Sequence, residues 1–145
     1  MVPTAITDIS HVIQLVIAPV FMLTAIGTVI NVLAGRLGRS VDRRRVLVAA
    51  LPKLENGVAD LAQREIAFEI RRIRLIYIAI SMSVTSALFV CLLIALAFVD
   101  AFVEADFAKV VAALFVLAMV ALIASLTIFL REIFLSIDSP RAPVI

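Results

Sequence analysis

Histidine, cysteine, tryptophan and glycine are all scarce in this chain: one His, one Cys, no Trp and four Gly. Each scarcity removes a class of chemistry. A zinc site, a Ser/His/Asp triad or a Cys/His pair needs histidine in company, and His11 stands alone at the outer end of an apolar stretch. The lone thiol, Cys91, lies inside another apolar run and cannot form an intrachain disulfide. The glycines make neither a GxxxxGK nor a GxGxxG fingerprint, so nucleotide phosphate has no cradle. No cofactor is expected, no metal site, and no enzyme activity, because acid, base and nucleophile are nowhere clustered.

Charge is scarce in a more informative way. The stretches Val12 to Gly35, Leu75 to Val99 and Val110 to Leu130 contain none. Each is longer than the roughly 20 residues a helix needs to cross about 30 Å of hydrocarbon. Spanning strands would show alternating polarity, which these stretches lack. Overall 64% of residues are hydrophobic, well above the about 45–50% usual for soluble domains. The expected fold is all-α: a single membrane domain over residues 1–145 with three transmembrane helices, at about 12–35, 75–99 and 110–130. Residues 1–11 carry no Lys or Arg and the first stretch is long for a signal sequence, so it is expected to be retained.

What charge there is sits mostly between the first two stretches. Residues 36–74 hold Arg36, Arg39, Arg43, Arg44, Arg45, Lys53, Arg64, Arg71, Arg72 and Arg74 against fewer acids, whereas the second connection offers Asp100, Glu104, Asp106 and only Lys109. The positive-inside rule then places residues 36–74 in the cytoplasm, the N-terminus outside and the C-terminus inside. Arg43, Arg44 and Arg45, with Arg71, Arg72 and Arg74, are candidates for binding anionic lipid at the cytoplasmic face or a protein partner. Lipid head groups explain these runs better than nucleic acid does.

Helix is expected to continue past Gly35, with Leu37, Val41, Val48 and Leu51 along one side and the arginines mostly elsewhere, until Pro52 interrupts it. Asn56-Gly57 reads as turn punctuation. From Val58 the pattern is helical into the second span, with Asp60–Arg64 and Glu69–Arg72 pairs. Residues 36–74 are thus a helical hairpin made by extensions of helices 1 and 2. Asp106 is placed to cap the third helix, which should end near Ser136, and residues 137–145 form a loose tail.

Around the first span, Gln14, Phe21, Thr24, Thr28, Asn31 and Gly35 share about one third of the helix circumference, and Arg39 and Asp42 extend the stripe. Polar groups at membrane depth avoid lipid, so the stripe should face protein or water. Two roles are open. Thr24, Thr28 and Asn31 could bond to another helix, with Ala18, Ala25 and Gly27 permitting close approach. Alternatively, copies of this span could surround an ion path, with Gln14 at the outer mouth, Phe21 as a constriction, Thr24, Thr28 and Asn31 on the wall and Arg39 at the inner vestibule. That second role requires a homo-oligomer. Tyr77, Ser81, Thr85 and Ser86 in span two, and Ala118, Ala121, Ala124 and Ser125 in span three, look like contact faces. Arg131 at the inner edge of span three is expected to snorkel.

The segments APVFMLTAIGTVINVLAGRLGRSVDRRRVL, EIRRIRLIYIAI and FLREIFLS together resemble a bacterial membrane-protein family called domain of unknown function 2721, over residues 10–136. The most specific elements are the proline-containing first span running into Arg36, Asp42, Arg43 and Arg45, and the Arg71, Arg72, Arg74 cluster. The resemblance implies a small multi-span protein of the bacterial inner membrane, and no activity. Gly38 departs from the pattern and would loosen the helix there. The expected function is a homo-oligomeric ion channel lined by the first helix, or else a non-conducting scaffold or accessory subunit whose basic hairpin binds a partner or anionic lipid.

Overall fold

A computed structural model describes residues 4–103 and 107–137, all but a short linker of them helical. Helix α1 runs Thr4–Ala50, a short 3-10 turn covers Leu51–Lys53, α2 runs Asn56–Val103 and α3 runs Ala108–Ile137. All three helices are long and apolar enough to cross a membrane. At about 1.5 Å per residue, the 47 residues of α1 and 48 of α2 rise about 70 Å each, more than twice the hydrocarbon thickness. The 30 residues of α3 rise about 45 Å.

The breaks follow from local chemistry. Pro52 cannot continue α1 and disfavours helix in the residue before it. Leu54 is extended, and the Glu55 carbonyl then accepts from Val58 N and Ala59 N to open α2. Asn56 and Gly57 are therefore the first residues of α2 and not its turn. Neither α2 after Gly57 nor α3 contains glycine or proline, so nothing interrupts them. Within α1, Pro19 is buried inside the helix, and the helix passes unbroken through Gly35 and Gly38. The amide of Phe107, just before α3, donates to the Asp100 carboxylate at 3.2 Å. Asp106, the expected cap, lies outside the described residues, as do the tail from residue 138 onward and the His11 side chain.

Buried positions recur every seven residues. On α1 they are Pro19, Ile26, Leu33, Ser40 and Leu47. On α2 one series is Ala62, Glu69, Ile76, Ser83 and Val90, and a second includes Glu65, Ala79, Ser86 and Leu93. On α3 it is Ala118, Ser125 and Glu132. A repeat of 3.5 residues is that of helices packing knobs into holes, and it drifts from the 3.6 period of an isolated helix. The drift explains why Leu47 is buried while Val48 is exposed, and why Arg36 and Arg43 turn partly inward where the arginines were expected elsewhere.

The chain forms two compact units, Met1–Ile30 with Met82–Ile123, and Asn31–Ser81 with Ala124–Ile145. In the first, Ile26, Val90, Leu93 and Ala118 form a core with Met22, Leu23, Ile30, Phe89 and Leu114 around it. The Ser86 hydroxyl donates to the Ala118 carbonyl at 2.7 Å. In the second, Leu47 packs on Ala62 with Leu51, Leu54 and Ile66, and the Ser125 hydroxyl donates to the Ala79 carbonyl at 2.8 Å. Each serine thus uses the spare lone pair of a carbonyl that a neighbouring alanine leaves accessible.

Candidate functional site

The second unit holds a cluster of buried charge. Its centre is Glu132 on α3, whose side chain is 0% exposed. Arg36 of α1 reaches one of its oxygens, with Nη2 at 2.7 Å from Oε2, and the Arg36 guanidinium stacks 5.5 Å from the Phe129 ring centroid. Arg72 of α2 donates from Nε and Nη2 to the other oxygen, Oε1, at 3.1 and 2.9 Å. Arg72 is also shared: its Nη1 donates to Glu69 Oε1 at 2.8 Å. The second Glu69 oxygen is buried and has no hydrogen-bond partner. Glu132 therefore ties all three helices together through two guanidiniums.

A further pair links α1 to α2. Arg43 donates to both oxygens of buried Glu65, at 2.8 and 3.3 Å, and this hydrogen bonding raises the Arg43 pKa above its usual value. Arginine suits such positions because its planar fork matches a carboxylate with two bonds. With three guanidiniums for three carboxylates, the charges balance. Removing one partner from such a set typically costs about 3–5 kcal/mol, because the other is left buried and unpaired.

Of the arginines singled out from the sequence, Arg43 and Arg72 are thus engaged inside the chain, while Arg44, Arg45, Arg71 and Arg74 are exposed. Arg45 lies 3.8 Å from Asp42, both well exposed. Glu132, which sequence reasoning passed over, had a signal. It is the single acidic residue of α3, and it falls seven residues after Ser125 and fourteen after Ala118, on the face already marked by Ala118, Ala121 and Ser125.

The polar stripe of α1 lies on the other side of that helix. Gln14, Phe21, Thr24, Thr28, Asn31 and Arg39 are all exposed, Phe21 at 72%. The Thr24 and Thr28 hydroxyls bond back to the Val20 and Thr24 carbonyls of their own helix at 3.4 and 3.1 Å. Thr24 and Thr28 therefore make no bond to α2 or α3. On α2, Tyr77 is 66% exposed and the Ser81 hydroxyl bonds to the Tyr77 carbonyl. Ser86 is buried as expected, and Ala79 and Ser83, which were not singled out, are buried beside it. Ala118, Ala121 and Ser125 on α3 are buried as expected. Among the described residues no group of three or more His, Cys, Asp or Glu could hold a metal ion.

Three helices of membrane-crossing length and apolarity, joined by serine–carbonyl bonds and a buried arginine–glutamate cluster, are consistent with the class of multi-span helical membrane proteins. Residues 16–142 match the family described as Protein of unknown function (DUF2721), and the chain belongs to that family. No curated protein and no solved structure matches it.

Proposed function

We propose that this chain is a homo-oligomeric ion-conducting pore of the bacterial inner membrane, lined by α1. The N-terminus lies outside, and the α1–α2 connection and the C-terminus lie in the cytoplasm. The observation that carries the reading is the exposure of Gln14, Thr24, Thr28 and Asn31, the four uncharged polar residues between Ile13 and Gly35, on the side of α1 turned away from its own core. Amides and hydroxyls at membrane depth are poorly solvated by acyl chains. The interior among the three helices is filled by Ile26, Val90, Leu93 and Ala118, so a path must run between copies. Phe21 would form an apolar constriction that gates by dewetting, with Gln14 at the outer mouth and Arg39 at the inner vestibule. The protein acts without cofactor, catalysis or nucleic acid.

The exposure of Arg44, Arg45, Arg71 and Arg74 favours a second reading, a non-conducting scaffold that binds anionic lipid or a partner protein at its cytoplasmic face. Reconstitution into liposomes separates the two. A pore conducts, and Asn31→Leu or Thr28→Phe changes the conductance while the subunit count stays the same. A scaffold shows no conductance, and loses lipid or partner binding when Arg44 and Arg45 are neutralised.

A further inference from the structure

The bonds from Glu132 to Arg36 and Arg72 fix three points of the second unit at one level. All three uncharged stretches stop there: Gly35 precedes Arg36, Leu75 follows Arg74 and Leu130 precedes Arg131. In an inserted chain, lipid phosphate lies where such stretches end. The guanidiniums buried near that level already have their anions, since Arg36, Arg43 and Arg72 meet Glu132, Glu65 and Glu69. Arg71 and Arg131 do not: both are exposed, and neither is paired with a carboxylate among the described residues. We infer that Arg71 and Arg131 clamp the phosphate of one anionic phospholipid, whose acyl chains lie along the outer groove between α2 and α3. The inference rests on the reading that the basic end of the chain meets anionic lipid, and names the site; it does not depend on conduction.

Contacts between the helices put both arginines on one side of this unit. Arg72–Glu132 and Ala79–Ser125 mark the line along which α2 and α3 face each other, and their reversed order makes the two helices antiparallel. Helix α1 lies to one side of that line. At about 100° per residue, Ala62, which packs on Leu47 of α1, stands about 80° round α2 from Arg72, and Phe129, which stacks on Arg36 of α1, stands about 60° round α3 from Glu132. Arg71 and Arg131 each precede the bonded residue by one, which turns them about 100° the opposite way, to the side away from α1. Their heights agree within about 3 Å and packed helix axes are about 8–10 Å apart, so both long side chains reach one phosphate between them. Arg74, three residues on and also exposed, adds positive charge to the α2 rim.

Between the rims, Phe68, Leu75, Ile128 and Leu135 fall about 40–60° round on the same side, and all four are half-buried. Leu75 and Ile128 lie toward the uncharged stretches, where an acyl chain continues. Charge complementarity sets the head group. Two unpaired guanidiniums repel each other and any choline or ethanolamine, whereas an anionic head group brings phosphate without a cation, and the planar fork of arginine takes phosphate with two bonds. Basic residues further from this level fit lipid less well, since Arg45 is already beside Asp42 and Arg64 beside Asp60.

The chain has no tryptophan, so a single introduced one reports alone. The full chain carrying Leu75→Trp is reconstituted in phosphatidylcholine bilayers and titrated with brominated phosphatidylglycerol, which quenches tryptophan on contact. Quenching there is expected to saturate at low mole fraction, whereas at Leu126→Trp, exposed on the far side of α3 from the groove, it follows the bulk fraction. Ile128→Trp, on the opposite wall, supplies the same readout where Leu75→Trp does not fold. Arg71→Gln and Arg131→Gln should each weaken the site about five-fold and together about twenty-five-fold, against less than about two-fold for Arg44→Gln with Arg45→Gln. Loss with the Arg44 and Arg45 pair but not with Arg71 and Arg131 overturns the clamp while the lipid reading stands. Equal quenching at both tryptophans, with no preference for phosphatidylglycerol over brominated phosphatidylcholine, overturns both.

Discussion

The two compact units are built from the same three helices but are held together by different chemistry. In the first, contact rests on Ile26, Val90, Leu93 and Ala118 and on the Ser86–Ala118 hydrogen bond. Every ion pair among the described residues lies in the second, where Glu132, Glu69 and Glu65 are buried against Arg36, Arg72 and Arg43. In lipid, apolar side chains gain little by meeting one another, since acyl chains are equally apolar, so association there depends on close fit and a few hydrogen bonds. Where the sequence carries charge, paired charge is buried instead. The lesson is that a heptad repeat sets where the helices touch, and the local residue types set what they touch with.

Substitutions can break this contrast at either end. The largest effect is expected from Glu132→Ala, which leaves Arg36 without a carboxylate and Arg72 with Glu69 alone, and should destabilise the fold by about 3–5 kcal/mol. Glu132→Gln should cost less, because it keeps the shape and one acceptor. Reversible unfolding in micelles measures both, and a loss below about 1 kcal/mol for Glu132→Ala would show that the cluster does not hold the helices. Next comes Ala118→Leu, which overpacks the first unit's core and removes its close approach, at about 1–3 kcal/mol. Ser86→Ala and Ser125→Ala should each cost about 0.6 kcal/mol, the average for hydrogen bonds between membrane helices, and no more than about 2 kcal/mol. A cost for Ser86→Ala, in the first unit, equal to that of Glu132→Ala, in the second, would erase the distinction between the units. Asp60→Asn, which removes an exposed i,i+4 pair with Arg64, should stay within about 0.5 kcal/mol of the parent.

The architecture was legible because lipid imposes a coarse rule: three uncharged stretches of membrane length leave few alternatives to three helices. The α1–α2 reversal was legible from Pro52, although its position was read a few residues late, since Asn56 and Gly57 serve as well in a first helical turn as in a loop. The charge cluster was only half legible. Glu69–Arg72 and Asp60–Arg64 are local and follow from spacing alone. Arg36–Glu132 joins residues 96 apart in sequence, and finding it requires the rotation of each helix. The difference between 3.6 and 3.5 residues per turn, about 20° per heptad, accumulates over a helix of 47 residues until the inferred inner face is wrong. That is how Val48 was taken for an inner residue and the arginines for outer ones.

Glu132 also stands last in the order of synthesis. A chain made from its N-terminus exposes Arg36 and then Arg72 long before their shared acceptor exists. Until α3 is in place, Arg36 lacks its carboxylate and Arg72 has only Glu69, and a polypeptide cut short before residue 132 never acquires the shared acceptor. The third helix thus completes a charge balance that the first two leave open.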